Sequence, residues 1–247
     1  KRITSKKENV DAYLMLADIY MNENDISQAI KYLERSLDIK RTKDALIMLG
    51  DIYYDELGDE KYVRFYEEAL ELGADDVKVI LRLADHYYLR EDYEKARELY
   101  LKLSGDVESN YYVIRNLGII YFKLSEYNEA VEWLEKARSI KSFDTDLLFY
   151  LGRSYEALGN YSEAEVCYSA LIRVNQHGEA VIHLADIYVK QGRLSDALSL
   201  LESYVRSAPD DPKMWYRLAQ IYNALDMTDS AISALERVIS LDEYHRD

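Results

Sequence analysis

The chain of 247 residues has 46 acidic and 31 basic side chains, which give a formal net charge of −15. Such a surface repels phosphate backbones, so it argues against nucleic-acid binding and favours basic or amphipathic protein partners. With two prolines, nine glycines and one cysteine, the composition favours an all-helical protein and excludes a disulfide framework or a cysteine-rich zinc site.

The amino-terminal segment carries no recognisable targeting signal. Lys1 to Lys7 is basic but has no apolar core, so it is not a signal peptide. No apolar run reaches the roughly 18 residues of a membrane span. Because the sequence does not begin with Met, we expect a processed protein or an excised piece of a longer one. We expect a soluble chain, in the cytoplasm or the periplasm.

A small residue followed three places later by tyrosine recurs along the chain, and leucine precedes each small residue. The pairs are Ala17/Tyr20, Gly50/Tyr53, Ala84/Tyr87, Gly118/Tyr121, Gly152/Tyr155, Ala185/Tyr188 and Ala219/Tyr222. Consecutive small residues are 33 or 34 places apart. A constant period of this size indicates stacked structural repeats.

A second set of residues follows each pair at helical spacing. Twelve places after the small residue stands alanine, except in the second repeat, and four places further on stands a large residue. The large residues are Leu33, Tyr66, Tyr100, Leu134, Tyr168, Leu201 and Leu235. The pattern predicts two helices per repeat, which approach closely at the small residues while tyrosine supplies buried area and its hydroxyl reaches a polar partner or water.

The second repeat departs from this pattern. Tyr62 stands where the other repeats have alanine, and the turn glycine, Gly58, comes one place late. A tyrosine between two close helices would be overpacked. We therefore expect a shifted turn or a splayed second helix between Asp55 and Val63.

The period and the residue order resemble the tetratricopeptide repeat, as in Trp215, Leu218, Ala219, Tyr222 and Ala231. The resemblance implies an all-α, right-handed solenoid of seven helix–turn–helix units, whose first helices line a concave groove. The predicted segments are an amino-terminal extension at 1–9, repeats at 10–42, 43–76, 77–110, 111–144, 145–177, 178–211 and 212–242, and a tail at 243–247.

Helical spacing places one set of side chains on the inward face of the first helices. The predicted partner-binding residues are Asp18, Asp51, Tyr54, Asp85, Tyr88, Tyr112, Arg115, Phe122, Phe149, Arg153 and Tyr216. Aromatic side chains in a groove are common anchors of protein recognition. The aspartates have two interpretations, because they either pair with Lys or Arg of a partner or form a solvated surface.

Four basic side chains suggest a weaker contact with an anion, at Arg153, His183, Lys213 and Arg217. The family's clamp for chaperone tails requires a set of Lys, Asn and Arg that this sequence matches only in part, at Lys78/Arg82 and Lys213/Arg217. Asp18 would repel a carboxylate from the first pair, so chaperone-tail binding is not predicted. Alternatively, these cations are surface charges with partners on their own helices.

No catalytic or metal-binding motif is found, so we expect neither enzymatic activity nor a cofactor. The histidines His86, His177, His183 and His245 form no HExxH or paired metal spacing. Cys167 has no nearby basic residue or helix N-terminus to activate its thiol, and we interpret it as a packing residue. The acidic stretch at 55–60 lacks the ligand spacing of an EF-hand.

The last helix is predicted to leave Ile232, Leu235 and Ile239 facing water unless further chain, another copy or a crystal neighbour covers them. The leading hypothesis for function is a scaffold or adaptor that binds a peptide or helix of a partner protein in its groove. One alternative is a self-assembling structural module. Another is a regulatory arm of an enzyme whose catalytic domain lies outside this chain.

Overall fold

A computed structural model describes residues 2–104, 110–175 and 177–244. Throughout these ranges the regular secondary structure is helical, and no strand is present. The helices are α1 (Arg2–Asn22), α2 (Ile26–Ile39), α3 (Lys43–Asp51), α4 (Lys61–Glu71), α5 (Val77–Leu89), α6 (Tyr93–Ser104), α7 (Tyr111–Lys123), α8 (Tyr127–Ile140), α9 (Thr145–Ala157), α10 (Tyr161–Asn175), α11 (Gly178–Lys190), α12 (Leu194–Ser207), α13 (Pro212–Ala224) and α14 (Thr228–Tyr244). A π-turn, Ile52–Glu56, extends α3.

The chain divides into two compact units. Unit 1 (Lys1–Glu108) holds α1 to α6, and unit 2 (Ser109–Asp247) holds α7 to α14. Within each unit every helix packs against the next one along the chain. We call the odd-numbered helices, which carry the leucine–small–x–x–tyrosine motif, first helices and the others second helices. The all-α repeat solenoid predicted from the sequence is confirmed.

The two ends of the chain continue into helix. α1 begins at Arg2, inside the segment predicted as an extension, and α14 ends at Tyr244, inside the predicted tail. The described helices therefore supply one helix pair for each of the seven predicted repeats. Lys1 and His245 lie outside the described residues.

Side-chain caps fix where most first helices begin. Asp144 Oδ1 accepts a hydrogen bond from Leu147 N at 3.0 Å. Asp211 Oδ1 accepts one from Lys213 N at 3.0 Å, with Pro212 at the first helical position. The remaining caps are Thr42, Asp76, Asn110 and His177. These caps satisfy amide donors that the first helical turn leaves unpaired.

One residue with a positive φ connects each first helix to its second helix. It stands seven places after the small residue in six repeats and eight places after it in repeat 2. These residues are Asn24, Gly58, Glu91, Ser125, Gly159, Gly192 and Asp226. Since four of them carry a side chain, the packing of the helix pair imposes the left-handed conformation even where glycine is absent.

The π-turn accounts for the late turn in repeat 2. A π-helical segment has one more residue in its hydrogen-bonded ring than an α-helix, so Ile52–Glu56 delays Gly58 by one place. The segment between Gly58 and the large residue of α4 is one residue shorter than in other repeats. Tyr66 therefore stays sixteen places after Gly50, and the register of α4 is restored. Of the two irregularities expected, the structure shows the shifted turn.

Tyr62, at the place of the missing alanine, turns out to be half-buried. Its hydroxyl lies 2.9 Å from His86 Nδ1, and its ring packs edge-on against Tyr54 and Tyr66. The side chain therefore lies among other aromatic rings instead of in the tightest part of the helix pair.

The small residues of the first helices leave room for a large side chain of the second helix in the same repeat. A Cβ atom added at Gly118 would lie 2.6 Å from Leu134 Cγ, and one added at Gly152 would lie 2.8 Å from Tyr168 Cε1. Both distances are far below van der Waals contact. The two helices therefore approach at a separation that only a small residue permits.

Several buried tyrosine hydroxyls have hydrogen-bond partners, as the sequence predicts, whereas the buried Tyr111 hydroxyl has none within the described residues. In the second helices, the Tyr66 hydroxyl donates to Asp51 at 2.6 Å and the Tyr168 hydroxyl donates to Glu156 at 3.0 Å. On the first helices the motif tyrosine reaches the second helix of the preceding repeat. These pairs are Tyr155–Glu135, Tyr188–Glu165 and Tyr222–Glu202, each at 2.8 Å. Burial, followed by the Glu202 hydrogen bond, raises the pKa of Tyr222 to about 12.

Replacing Gly118 by alanine is expected to lower the free energy of unfolding by about 1–3 kcal/mol. The new methyl group overlaps Leu134, and this outweighs the gain in helix propensity of roughly 1 kcal/mol. Urea unfolding followed by circular dichroism measures the change. Ser169→Ala, at an exposed site of α10, is the control and should change the value by less than about 0.5 kcal/mol. A Gly118→Ala protein as stable as the wild type would contradict the close contact.

Candidate partner-binding face

In each unit, side chains of consecutive first helices contact one another on one face. We call this the first-helix face: it comprises the exposed and half-buried side chains of α1, α3 with its π-turn, and α5 in unit 1, and those of α7, α9, α11 and α13 in unit 2. In unit 2, α7 contacts α9 and α11 contacts α13. Every residue predicted to bind a partner lies on one of these helices or, for Tyr54, in the π-turn.

In unit 1, two carboxylates of repeat 2 hold two cations of repeat 3. Asp51 Oδ1 lies 3.0 Å from both Lys78 Nζ and Arg82 Nη1, and Asp55 pairs with the same two side chains. The Arg82 guanidinium also lies over the Tyr54 ring, 3.9 Å from its centroid. Lys78 and Arg82 are therefore neutralised within the chain, which argues against a carboxylate clamp there.

The predicted residues of repeat 3 are also in contact with their own repeat. The Tyr100 hydroxyl donates to Asp85. Tyr88 is half-buried, with its ring centroid 6.2 Å from that of Tyr93. Asp85 thus has a structural role as an acceptor for a fully buried tyrosine, in addition to any role on the surface.

Three carboxylates on the first helices of repeats 1 and 2 are exposed: Asp11, Asp18 and Asp44. Within the described part of the chain, none of them forms an ion pair. They give this part of the first-helix face a negative charge, and in contrast to Asp51 they have no ion-pair partner among the side chains that the structure describes.

In unit 2, aromatic rings from two repeats form a half-buried cluster with an arginine. The ring centroid of Tyr150 lies 5.2 Å from that of Phe122 and 5.9 Å from that of Phe149. The Arg153 guanidinium lies 5.0 Å from the Phe122 centroid and 5.9 Å from the Phe149 centroid. Among the described residues, Arg153 has no carboxylate partner. Its five N–H donors are therefore left to water or to a ligand.

Glu156, on the same helix as Arg153, collects three hydrogen-bond donors. His183 Nδ1 lies 2.9 Å from Oε2, Lys190 Nζ lies 3.2 Å from Oε1, and the Tyr168 hydroxyl donates to Oε2 at 3.0 Å. Burial acts to raise the pKa of Glu156, but the hydrogen bonds from His183, Lys190 and Tyr168 outweigh it and lower the pKa to about 2. The ionised carboxylate therefore joins α9 to α11.

Arg115 and Tyr112 lie at the first repeat of unit 2. Arg115 Nη1 lies 3.4 Å from Asp144 Oδ2, the carboxylate that caps α9. The guanidinium carbon of Arg115 lies 5.8 Å from the centroid of the Tyr112 ring, which is exposed. Arg115 is therefore engaged in the junction between two repeats, while Tyr112 presents part of its ring to solvent.

Tyr216, of which 50% is exposed, lies in a shallow depression of unit 2. The depression has a volume of about 560 Å³ and is lined by Ile182, Pro212, Lys213, Tyr216, Arg217, Gln220 and Val238. Arg217 Nη1 pairs with Asp186 Oδ1 at 3.3 Å. Lys213 has no carboxylate partner in the described ranges of the chain.

Cys167 and His86, which the sequence analysis considered as reactive groups, are packed against other side chains of the chain. Burial raises the pKa of the Cys167 thiol to about 11, so the thiol is protonated at neutral pH and a poor nucleophile. His86 packs edge-on against Tyr62 and Tyr87. No group of three or more His, Cys, Asp or Glu among the described residues is placed to hold a metal ion. None of the described helices is long and apolar enough to cross a bilayer.

Comparison with known families decides the identity of the repeat. Models of the tetratricopeptide repeat match residues 10–43, 113–141, 149–212 and 182–245. The chain belongs to the tetratricopeptide repeat family.

This tetratricopeptide repeat protein is similar to part of a curated human protein and to several solved structures. Cilia- and flagella-associated protein 70 of Homo sapiens is 29% identical over 113 residues, which cover 46% of this chain and 10% of that protein. The structure of MamA has a TM-score of 0.62 and 18% identity, covering 68% of this chain and 92% of that one. YrrB, described as having an unusual peptide-binding site, has a TM-score of 0.59 and 21% identity, covering 73% and 94%. The two structures show a shared fold.

The four residues that are predicted to contact an anion fall into two groups, which differ in whether a carboxylate pairs with them. His183 and Arg217 are paired with the carboxylates of Glu156 and Asp186. Arg153 and Lys213 have no carboxylate partner within the described residues. Sequence spacing places all four on first helices but does not distinguish these two states.

Two residues that make contacts on the first-helix face, Tyr150 and Glu156, are not among the residues predicted to bind a partner. Tyr150 stands two places before the small residue of its repeat, as do Arg82 and His183 in theirs. All three contact the neighbouring repeat. The sequence therefore contains a signal for residues that contact the neighbouring repeat: they stand two places before the small residue.

Glu156→Gln is expected to lower the free energy of unfolding at neutral pH by on the order of 2–3 kcal/mol, because three donors lose an ionised acceptor. Since the folded pKa of about 2 lies below the ordinary 4.5, the wild-type advantage is present above about pH 4.5 and is lost as the pH falls towards 2. Urea unfolding at a series of pH values measures this difference. Glu163→Gln, at an exposed site of α10, is the control. A wild-type advantage that does not shrink in acid would contradict the role of Glu156.

Proposed function

We propose that this tetratricopeptide repeat protein is a scaffold or adaptor that binds a segment of a partner protein, a peptide or a helix, on its first-helix face. The observation that carries the proposal is Arg153, a half-buried guanidinium between Phe122 and Phe149 without a carboxylate partner in the described chain. The other half-buried arginines on this face, among the described residues, are all paired: Arg82, Arg115 and Arg217.

In unit 2 the proposed partner segment is amphipathic. An apolar side chain of the partner packs on Phe122 and Phe149, and a carbonyl or carboxylate oxygen accepts hydrogen bonds from Arg153. The exposed rings of Tyr112 and Tyr216 widen the contact surface. Arg115 acts by holding the Tyr112 region in place through Asp144. Aromatic and arginine side chains are enriched in protein–protein interfaces, which supports this assignment.

In unit 1 the proposed partner segment is basic. Asp18, with the exposed Asp11 and Asp44, offers carboxylates to Lys or Arg of a partner. Asp51 and Asp85 already accept hydrogen bonds from buried tyrosines. They therefore contribute to the proposed binding of a basic segment through the negative potential of the surface and not through a direct ion pair. Tyr54 and Tyr88 supply ring surface beside them.

We propose that the anion contact lies at Arg153 and Lys213, with His183 and Arg217 beside them, each already paired with a carboxylate. An acidic side chain of an amphipathic partner is the anion that this arrangement suits. YrrB, which shares the fold and is described as having a peptide-binding site, supports a peptide as the ligand class. We propose no catalytic activity for the chain itself, since Cys167 and His86 are both held in packing contacts.

A displayed library of random peptides, selected on the immobilised full chain, tests the proposal. Enriched peptides are synthesised and titrated by fluorescence anisotropy against the wild type, Phe122→Ala and Arg153→Gln. Each substitution is expected to weaken binding of peptides that use unit 2 by about 10-fold or more, because interface aromatics and arginines carry a large share of binding energy. Peptides that bind unit 2 should combine an acidic residue with aromatic or aliphatic ones, and peptides that bind unit 1 should carry basic residues.

The matched control is Val166→Ala, an exposed site on the second helix α10, which should leave affinity unchanged. Circular dichroism checks that each variant is folded. If no peptide is enriched, or if binding is equally strong in Phe122→Ala and Arg153→Gln, the first-helix face of unit 2 is not the binding site.

A further inference from the structure

The junction between repeats 5 and 6 carries charges opposite to those of the junction between repeats 2 and 3. In the earlier junction, Asp51, one place after the small residue of its repeat, pairs with Lys78, six places before the small residue of the next. Between repeats 5 and 6 the same two places hold Arg153 and Glu179. The carboxylate and the cation have therefore exchanged places.

The exchanged charges do not form the corresponding ion pair. Asp51 Oδ1 lies 3.0 Å from Lys78 Nζ. The guanidinium carbon of Arg153 instead lies 5.0 Å from the centroid of the Phe122 ring, and Glu179 is exposed. Within the described residues, neither Arg153 nor Glu179 has an ion-pair partner. Both charges are therefore available to a ligand.

The magnitudes of two competing interactions explain why the pair stays open. An ion pair between exposed side chains contributes about 0–1 kcal/mol. A guanidinium over an aromatic ring gains about 0.5–2 kcal/mol. Arg153 contacts two rings, because its guanidinium also lies 5.9 Å from the Phe149 centroid. Contact with the rings therefore outweighs pairing with Glu179.

Glu179 stands beside the half-buried aromatic cluster of unit 2. It follows two places after His177, whose ring centroid lies 5.1 Å from that of Phe149. His177 Nδ1 also accepts a hydrogen bond from Ala180 N at 3.3 Å, which fixes the start of α11 at this cluster. Glu179 therefore lies in the first helical turn next to the rings that hold Arg153.

Another carboxylate of this region, Glu156, is already engaged. It accepts hydrogen bonds or ion pairs from three groups of the chain itself: His183, Lys190 and Tyr168. A cation of a partner that approaches the cluster therefore meets Glu179 as the carboxylate without an internal donor in the described chain.

We propose that the partner segment bound by unit 2 carries an acidic and a basic residue on one face, of which the acidic residue pairs with Arg153 and the basic residue with Glu179. The inference rests on the proposed function and adds a charge pattern to it. A purely acidic segment is disfavoured, because Glu179 repels a second anion near Arg153. The two partner residues stand three or four places apart in a helix, or two places apart in an extended peptide.

Selections from a displayed library of random peptides test the proposal, run in parallel on the immobilised wild type and on Glu179→Lys. Peptides that bind the wild type and lose affinity for Arg153→Gln are taken as unit 2 ligands. In these peptides we expect a basic residue at a fixed distance from the acidic one. The Glu179→Lys selection should replace that basic residue by an acidic one, because the charge at its contact is reversed.

Fluorescence anisotropy with one such peptide separates direct pairing from a general change of charge. Glu179→Lys should weaken binding by about 5-fold or more, since attraction becomes repulsion. Replacing the basic residue of the peptide by glutamate should restore most of the loss.

The matched control is Glu163→Lys, which makes the same change at an exposed first-turn glutamate of α10. It alters the same interaction with a helix N-terminus. Its effect on affinity should stay below about 2-fold, because solvent and salt screen a distant surface charge. Circular dichroism checks that each variant is folded.

The outcomes distinguish this inference from the proposed function. If unit 2 ligands have no basic residue at a fixed spacing, or bind Glu179→Lys as well as the wild type, the charge pattern is wrong while the proposed function stands. Asp146 holds the place of Glu179 in repeat 5. If Asp146→Lys weakens binding and Glu179→Lys does not, the assignment to Glu179 is wrong. If no peptide depends on Arg153, the proposed function of unit 2 and this inference both fail.

Discussion

Each repeat is held together by one contact, in which a large side chain of the second helix fills the space over the small residue of the first helix. The same large side chain also faces the next repeat. Tyr168 lies over Gly152 of its own repeat and stacks on His183 of the following one. Packing within a repeat and packing between repeats therefore share the same residue, which makes the stability of each repeat depend on its neighbour.

This packing buries tyrosine hydroxyls, and a buried hydroxyl without a partner is costly. Asp51 and Glu156 accept hydrogen bonds from the tyrosines of their own repeats, so the fold itself requires carboxylates on the first-helix face. Cations of the next repeat then neutralise those carboxylates. The charge pattern of the face is thus largely structural. The proposed partner binding depends on the smaller set of groups without such a structural role, of which Asp18 and Arg153 are the clearest.

The sequence predicts the helices, the repeats and the irregular second repeat because those features depend on spacing along the chain. The one-place delay of Gly58 is visible in the sequence and predicts an irregularity there, whereas the π-turn that produces the delay is seen only in the structure. The pairing of Asp51 with Arg82 spans 31 residues and depends on which side chains meet across a junction. The contrast between Arg217 and Arg153 has the same origin, since both stand on first helices, yet only Arg217 meets a carboxylate. The spacing of residues along the chain does not show which arginine will have a carboxylate partner.

The π-turn shows how this architecture can move a turn along the chain without changing the length of the repeat. The extra residue in Ile52–Glu56 is offset by the segment before Tyr66, which is one residue shorter, so the helices that follow keep their registration with the repeats around them. A one-residue insertion at such a turn therefore needs a one-residue deletion before the large residue of the second helix. In the evolution of tandem helical arrays, paired length changes of this kind shift a turn while the spacing between the small and the large residue, and with it the helix interface, is preserved.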